Sequence, residues 1–396
     1  MKHKEKPLET DDFVFDKRLY VIFLIIFTEV LGFSIAIPLI PFIGLSIGLD
    51  YLQIGLIGSV FSFCQLFASP ITGKLSDHFG RKPLLILSQI STFTGFLLLG
   101  FSKTATLLIA ARLIDGLLGS NMTVSQAYIS DITKPKHLTR VYGYSSGVFG
   151  IGLIFGPFIG GMLSQINYSI PMFFAAAVTL ISIIMAMFLP ETIAKKTEKI
   201  SLGFNNIIPI KDVKRYLKQS NIKNNVLMFF IYSLGFHLFI SNFSLIAETQ
   251  FGVDATQVSY YMAWIGILRV IIQTVLIARI LQAFSEDQLM KTGIIAMVIS
   301  MASLALSIDS LFVFIPLIFL AYGTGVCRPI LTSKLVNSVT KKETATILGV
   351  NNSLISLAQI VTPIAGGLII QYFTSQSLLI LSALFFSAIF LFRKKS

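Results

Sequence analysis

Long apolar runs separated by short polar connections set the rhythm of this chain. A run of about 20 residues is enough to cross the hydrocarbon core of a bilayer, and about twelve reach that length: 19–41, 54–73, 83–102, 105–129, 142–164, 170–190, 223–247, 257–280, 289–307, 311–334, 344–372 and 376–392. Most connections are a few residues long. The exception is the Lys- and Asn-rich stretch 191–222, which divides the chain into halves of similar length. The pattern predicts an all-α integral membrane protein with about twelve transmembrane helices in two six-helix bundles, 19–190 and 223–392. The central loop 191–222 reads as a solvated linker, and 1–18 and 393–396 as tails. The first tail carries both signs of charge and no apolar core. The run after it lacks a small-residue cleavage pattern, so it reads as a first helix and not as a cleaved signal.

Composition sharpens the class. Hydrophobic residues make up 54% of 396 and charged residues only 13%, a balance that excludes a soluble domain. The formal net charge of +12 would suit nucleic acid if the cations were clustered on a folded surface. They lie instead in the N-terminal tail, 73–83, Lys134 to Arg140, 191–222, Lys341–Lys342 and Arg393–Lys395, while the alternate loops hold Lys103, Asp50, Glu248, Asp254 and Asp309. By the positive-inside rule both termini are cytoplasmic, in a multi-pass protein of the cell membrane, with lipid as its surroundings and no nucleic-acid partner. Cys64 and Cys327 fall in separate apolar runs and read as packing residues. His3, His78, His137 and His237 have no metal spacing, and no Gly-Lys-Ser/Thr phosphate loop is present. No nucleophile and base can be paired by spacing, so an enzyme is not expected, and neither a cofactor nor ATP is implied.

The halves repeat one another. Gly143-Tyr-Ser-Ser, leading to Gly156-Pro157-Phe-Ile-Gly160-Gly161, is echoed by Gly349-Val-Asn-Asn, leading to Thr362-Pro363-Ile-Ala-Gly366-Gly367, at an offset of 206 at both ends. Leu31-Gly-Phe33 and Leu234-Gly-Phe236 repeat at 203. Duplicated, pseudo-symmetric halves flanking a site at the bilayer midplane are an architecture of secondary transporters.

Between the second and third runs stands Gly73-Lys-Leu-Ser-Asp77-His-Phe-Gly80-Arg81-Lys82-Pro83. A short polar connection here must lie at a membrane surface. Gly73 would let helix ends approach, Gly80 would allow a left-handed turn, and Pro83 fits a first helical turn. Asp77, Arg81 and Lys82 place both signs of charge at helix ends, although the cations alone could serve topology. The stretch resembles the signature loop of the major facilitator superfamily. That resemblance implies that Asp77 and Arg81 interact with the acid ending the fourth helix, here Asp131. It also implies that Asp77 faces the start of the eleventh helix and holds the cytoplasmic side closed. The corresponding segment of the second half, 279–288, departs from the pattern.

Glu29 lies in the middle of the first run, where a charge costs about 2.5–3.5 kcal/mol or more. It therefore faces a cavity or carries a proton; a neutral acid hydrogen-bonded within the bundle is the alternative. The surrounding Glu29-Val-Leu-Gly-Phe-Ser-Ile-Ala-Ile-Pro38-Leu-Ile-Pro41 resembles the first helix of drug/proton antiporters, tetracycline/proton antiporters above all, which place an acid there. In the fourth run Arg112-Leu-Ile-Asp115-Gly116-Leu-Leu-Gly119 resembles the family's Arg-x-x-x-Gly helix. Arg112 and Asp115 share a helix face with Met122 and Gln126. The resemblance implicates Arg112 in proton coupling; Asp115 is either a modulator or a static partner. In the fifth run Gly152, Gly156, Pro157, Gly160 and Gly161 resemble the helix that distinguishes antiporters from symporters, though small residues also serve plain packing.

In the second half, His237, Arg269, Gln273, Arg328, Asn351, Asn352 and Gln359 fall inside apolar runs, as candidates either for a cavity lining or for interhelical hydrogen bonds. The resemblance implies a proton-driven antiporter in which a small amphipathic or cationic solute competes with a proton by alternating access, with a monomer as the expected unit and the proton gradient as energy source. A proton-coupled transporter of a metabolite such as a sugar or organic acid uses the same fold, and a non-transporting membrane receptor is the reading from another class.

Overall fold

The computed structural model describes residues 14–193, 210–307, 309–340 and 343–392. The first half holds α1 (Arg18–Ser46), α2 (Tyr51–Phe79), α3 (Arg81–Gly100), α4 (Ala105–Leu118), α5 (Asn121–Ile132), α6 (Leu138–Ser164) and α7 (Ser169–Met187). The second holds α8 (Ile210–Lys218), α9 (Ser220–Phe251), α10 (Ala255–Ile271), α11 (Ile277–Ala283), α12 (Glu286–Leu306), α13 (Phe314–Asn337), α14 (Thr344–Tyr372) and α15 (Ser375–Phe392). Pairing α4 with α5, and α10 with the turn that follows it, gives twelve candidate membrane spans among the described residues, and no strand occurs there. A helix satisfies every backbone group within itself, which is what an apolar surrounding demands.

Three segments differ from the sequence reading. The fourth span is not one helix: it breaks at Gly119–Ser120 between α4 and α5. The polar stretch at 73–83 is not a loop. Its residues continue α2 to Phe79 and begin α3 at Arg81, so the connection is Gly80 alone, with φ of 108°. Ser76 Oγ donates back to the Gly73 carbonyl at 2.7 Å, within the last turns of α2. Thirdly, the part of 191–222 that is described is not simply a solvated linker. Helix α8 buries Tyr216 against Ile222, Val226, Leu335, Ile347 and Val350 at the end of the second half. Residues 194–209, together with Lys2, Lys4, Lys6, Lys341, Lys342 and Arg393–Lys395, lie outside the described residues.

Within each half the helices pack around α1 and α9. Across the halves the contacts run from α2 to α14 and from α6 to α10, with α1 touching α9 and α10. With twelve spans, the start of α1 at Arg18 and the end of α15 at Phe392 lie on one side, here the terminal face; Ser46 and Tyr51 mark the far face. The halves meet tightly at the far face. There the Leu52 amide donates to Gln371 Oε1 at 3.0 Å, the Ser164 and Thr256 hydroxyls lie 3.3 Å apart, and Ser244 Oγ donates to the Pro38 carbonyl at 3.1 Å. Towards the terminal face, Gly143 and Gly147 on α6 and Gly349 on α14 all face open space.

Candidate functional site

A cavity of about 1160 Å³ lies between the halves. It runs from Ile54 and Pro363, at the far-face seal, to Gly143 and Thr332 towards the terminal face. Of the polar residues singled out from the sequence, Arg112, Gln126, His237, Arg269, Gln273, Arg328 and Gln359 reach its wall. Asn351 and Asn352 do not: Asn351 is 5% exposed, and Asn352 is exposed elsewhere on α14. Asn352, seven residues before Gln359, shares its face of α14 but stands nearer the terminal end of the helix than the residues that line the cavity, whereas Asn351 is turned into the packing.

Glu29 and Asp115 are not on the wall either. They belong to a string of polar side chains behind it. Asn121 Nδ2 donates to Glu29 Oε2 at 2.6 Å and is 3.0 Å from Thr92 Oγ1. The Thr92 hydroxyl donates to Asp115 Oδ1 at 2.8 Å, and Asp115 Oδ2 lies 3.8 Å from an Arg112 terminal nitrogen. Arg112 is 4% exposed, its guanidinium lies 5.6 Å from the centre of the Phe61 ring, and its Nε has no hydrogen-bond partner. The string thus connects a partly buried acid on α1 to a cation on the cavity wall.

The break in the fourth span builds this string. Gly119 leaves the helix at a place where a β-carbon would collide with the Asp115 carboxylate and carbonyl. Gln65 Nε2 on α2 donates to the freed Gly119 carbonyl at 2.7 Å. The chain restarts at Asn121, whose side chain is thereby aimed at Glu29 from the positive end of a new helix. Thr92, Asn121 and Gln65 escaped the sequence reading. The signal for Asn121 was present in Gly119-Ser120-Asn121, a helix-breaking triplet inside an apolar run.

The five positions of the fifth span act as contact surfaces. Gly152 and Gly156 lie against Val30, Leu31 and Ser34 of α1, with Ser34 Oγ donating to the Gly152 carbonyl at 2.9 Å, and Gly160 lies against Ile35. Gly161 faces Ser259 and the Thr256 carbonyl of α10, across the halves, and Pro157 lines the cavity. The echo keeps both roles: Gly366 lies against Asn242 of α9 in its own half, and Gly367 against the Tyr51 carbonyl of α2 in the other.

At the terminal face Arg81 joins the ends of three elements. It pairs with Asp77 at 2.6 Å, with Asp131 through Nε at 3.0 Å, and donates to Ser76 Oγ at 2.6 Å. Glu191, which the sequence placed only at the start of the central linker, receives the backbone amides of Arg81 at 2.9 Å and Lys82 at 3.1 Å, while Lys82 Nζ donates to the Met187 carbonyl at 2.6 Å. The second half has a counterpart despite its divergent sequence. Asp287, at the start of α12, binds Lys334, near the end of α13, at 2.8 Å. These positions follow Arg81 and Asp131 by 206 and 203 residues, with the signs of charge exchanged.

The family model described as Major Facilitator Superfamily matches residues 22–361, most of the chain. The chain belongs to the major facilitator superfamily. It is a multi-pass membrane transporter, and not an enzyme. Its relatives include the tetracycline resistance protein, class H, of Pasteurella multocida, 28% identical with 90% of each chain covered. Multidrug resistance protein 1 of Bacillus subtilis is also 28% identical, covering 87% of each. Solved structures share the fold at lower identity. A mutant of the nucleoside transporter NupG is 12% identical with a TM-score of 0.80, covering 94% of this chain and 98% of that one. A D-xylose–proton symporter, also 12% identical, has a TM-score of 0.72, covering 93% and 97%. Transporters named for quite different cargo thus share this scaffold, so the fold by itself does not name a cargo.

Proposed function

We propose that this transporter is a proton-coupled antiporter that exports small amphipathic molecules from the cell by alternating access. Both termini are cytoplasmic in this reading, so the terminal-face opening of the cavity is the inward-facing state. The observation that carries it is the string Glu29–Asn121–Thr92–Asp115–Arg112. An acid held behind the wall changes charge when it gains or loses a proton. Asn121 presents an amide donor to Glu29 in either state, and Thr92 is hydrogen-bonded to Asp115. A change at Glu29 is therefore felt at the Asp115–Arg112 pair and at the cavity. Proton and cargo compete through that linkage, so each swing carries one or the other. Efflux as the direction is supported by relatives named for tetracycline and multidrug resistance.

The experiment is transport in proteoliposomes under an imposed pH gradient, comparing wild type with Glu29→Gln. The substitution keeps the volume and the acceptor oxygen for Asn121 but removes the titrating proton. Loss of gradient-driven transport, in a protein that elutes and melts like wild type, is expected. Undiminished gradient-driven transport would sink the assignment of Glu29.

A further inference from the structure

The wall of the cavity is unbalanced in charge. Among the described residues it carries Arg112, Arg269, Arg328 and His237, and not one Asp or Glu. Arg112 is matched behind the wall by Asp115. Arg269 and Arg328, both set within membrane-spanning helices, have no ion-pair partner among the described residues. The Arg269 Nε is buried without a hydrogen bond, while the Arg328 side chain stands exposed to the cavity. A guanidinium at membrane depth is costly unless something neutralises it, and no described side chain does so here.

An aromatic ring flanks one of the two cations, Arg269, and leaves its charge unanswered. The Arg269 guanidinium lies 5.6 Å from the centre of the Phe236 ring. Phe236 in turn is parallel to Tyr232, with interplanar angle 1° and centroids 6.2 Å apart. A ring face orients a guanidinium by cation–π attraction but supplies no negative charge, so the donor edges remain available. Around them the wall is mainly apolar, with Phe33, Phe61 and Phe149 among its rings, and Gln273 and Gln359 as neutral polar groups.

We infer that the cargo is an amphipathic organic anion, its carboxylate, sulfonate or phosphate received by Arg269 and Arg328 and its ring system by the apolar wall. This deepens the transport reading and rests on the cavity being the transport site. A guanidinium fork matches such oxyanions geometrically, and binding would supply the missing counter-charge. A cationic solute, the other class expected from the sequence, would meet two unmatched positive charges without a carboxylate on the wall.

The test is binding of two xanthene dyes of opposite charge and similar size, fluorescein and rhodamine 6G, to the full-length protein in nanodiscs at pH 8. Saturable fluorescein binding, at least about tenfold tighter than rhodamine 6G, is expected. Arg328→Gln and Arg269→Gln should each weaken fluorescein by about tenfold and leave rhodamine 6G unchanged or tighter, while Arg328→Lys keeps part of the affinity. Because a neutralised wall could also misfold, each variant's melting temperature is read alongside. Equal binding of both dyes, preference for rhodamine 6G, no saturable fluorescein binding to wild type, or loss of both dyes alike in folded Gln variants would overturn the inference. Proton-driven transport is read separately in liposomes: cation transport there leaves the antiporter reading standing and this inference fallen. Selective anion binding without transport does the reverse.

Discussion

Two glycines of α6 differ in what a β-carbon would meet. At Gly156 an added side chain would run into Ser34 Oγ and the Leu31 carbonyl of α1, atoms with no room to retreat. At Gly147, on the same helix, nothing lies within 4 Å. Gly156→Val should therefore lower the yield of folded protein and destabilise it by about 1–3 kcal/mol or more through overpacking. Gly147→Ala should leave the melting temperature within about a degree or two, because surface-like changes stay within roughly 0.5 kcal/mol. Thermal melts of both variants in the same detergent check this; equal stability of the two would remove the packing account of the fifth-span glycines. The sequence made this helix conspicuous through the repeat of Gly143, Pro157, Gly160 and Gly161 at an offset of 206 but could not say what each glycine touches. That depends on which side of α6 faces α1 and which faces α10, a matter of helix rotation that apolar periodicity does not encode when nearly every position is apolar.

At the scale of elements, the helix ends carry the structural surprises. Helix α3 begins at Arg81 after Gly80, which has no side chain to cap it, and the cap comes from Glu191, beyond the end of α7. Burial pushes the Glu191 carboxyl up, but backbone N–H groups of Ile193, Arg81, Thr192 and Lys82 outweigh it and hold the group below the usual carboxylate range. A depressed carboxyl contributes stability that is complete above its ordinary value of about 4.3 and fades as the pH falls through its lowered value. Glu191→Ala should cost about 1 kcal/mol at pH 7, and the difference from wild type should shrink as the pH drops below about 4. A deficit that stays constant down to about pH 3 would contradict the cap. From sequence Glu191 looked like the first residue of a linker, because a cap supplied from 110 residues away leaves no local trace. The Asp287–Lys334 pair was hidden for a different reason. Its charges are exchanged relative to Arg81–Asp131, so a pattern of residue identities misses what a pattern of positions retains.

For the whole molecule, the all-helical class and the twelve candidate spans were legible, because bilayer thickness imposes a length on each run. The fourth-span break was not: a continuous apolar run conceals a discontinuity that only the Gly119–Asn121 triplet betrays. The conformation was not legible either. Asp77 pairs with Arg81 beside the Asp131 contact, and the cavity extends towards that face as far as Gly143 and Thr332. In the alternating access proposed above, a sealed far face with an opening on the other side is one end of a rocking motion, and the Gly161 and Gly367 contacts across the halves are those that would part at the other end. The most direct measurement uses purified protein in liposomes loaded with a pH dye, with aromatic carboxylates and tetracycline added one at a time. The account predicts that at least one compound moves protons opposite to its own flux, and that Glu29→Gln stops it. Protons and cargo travelling together would contradict antiport and make this transporter a symporter built on the same fold.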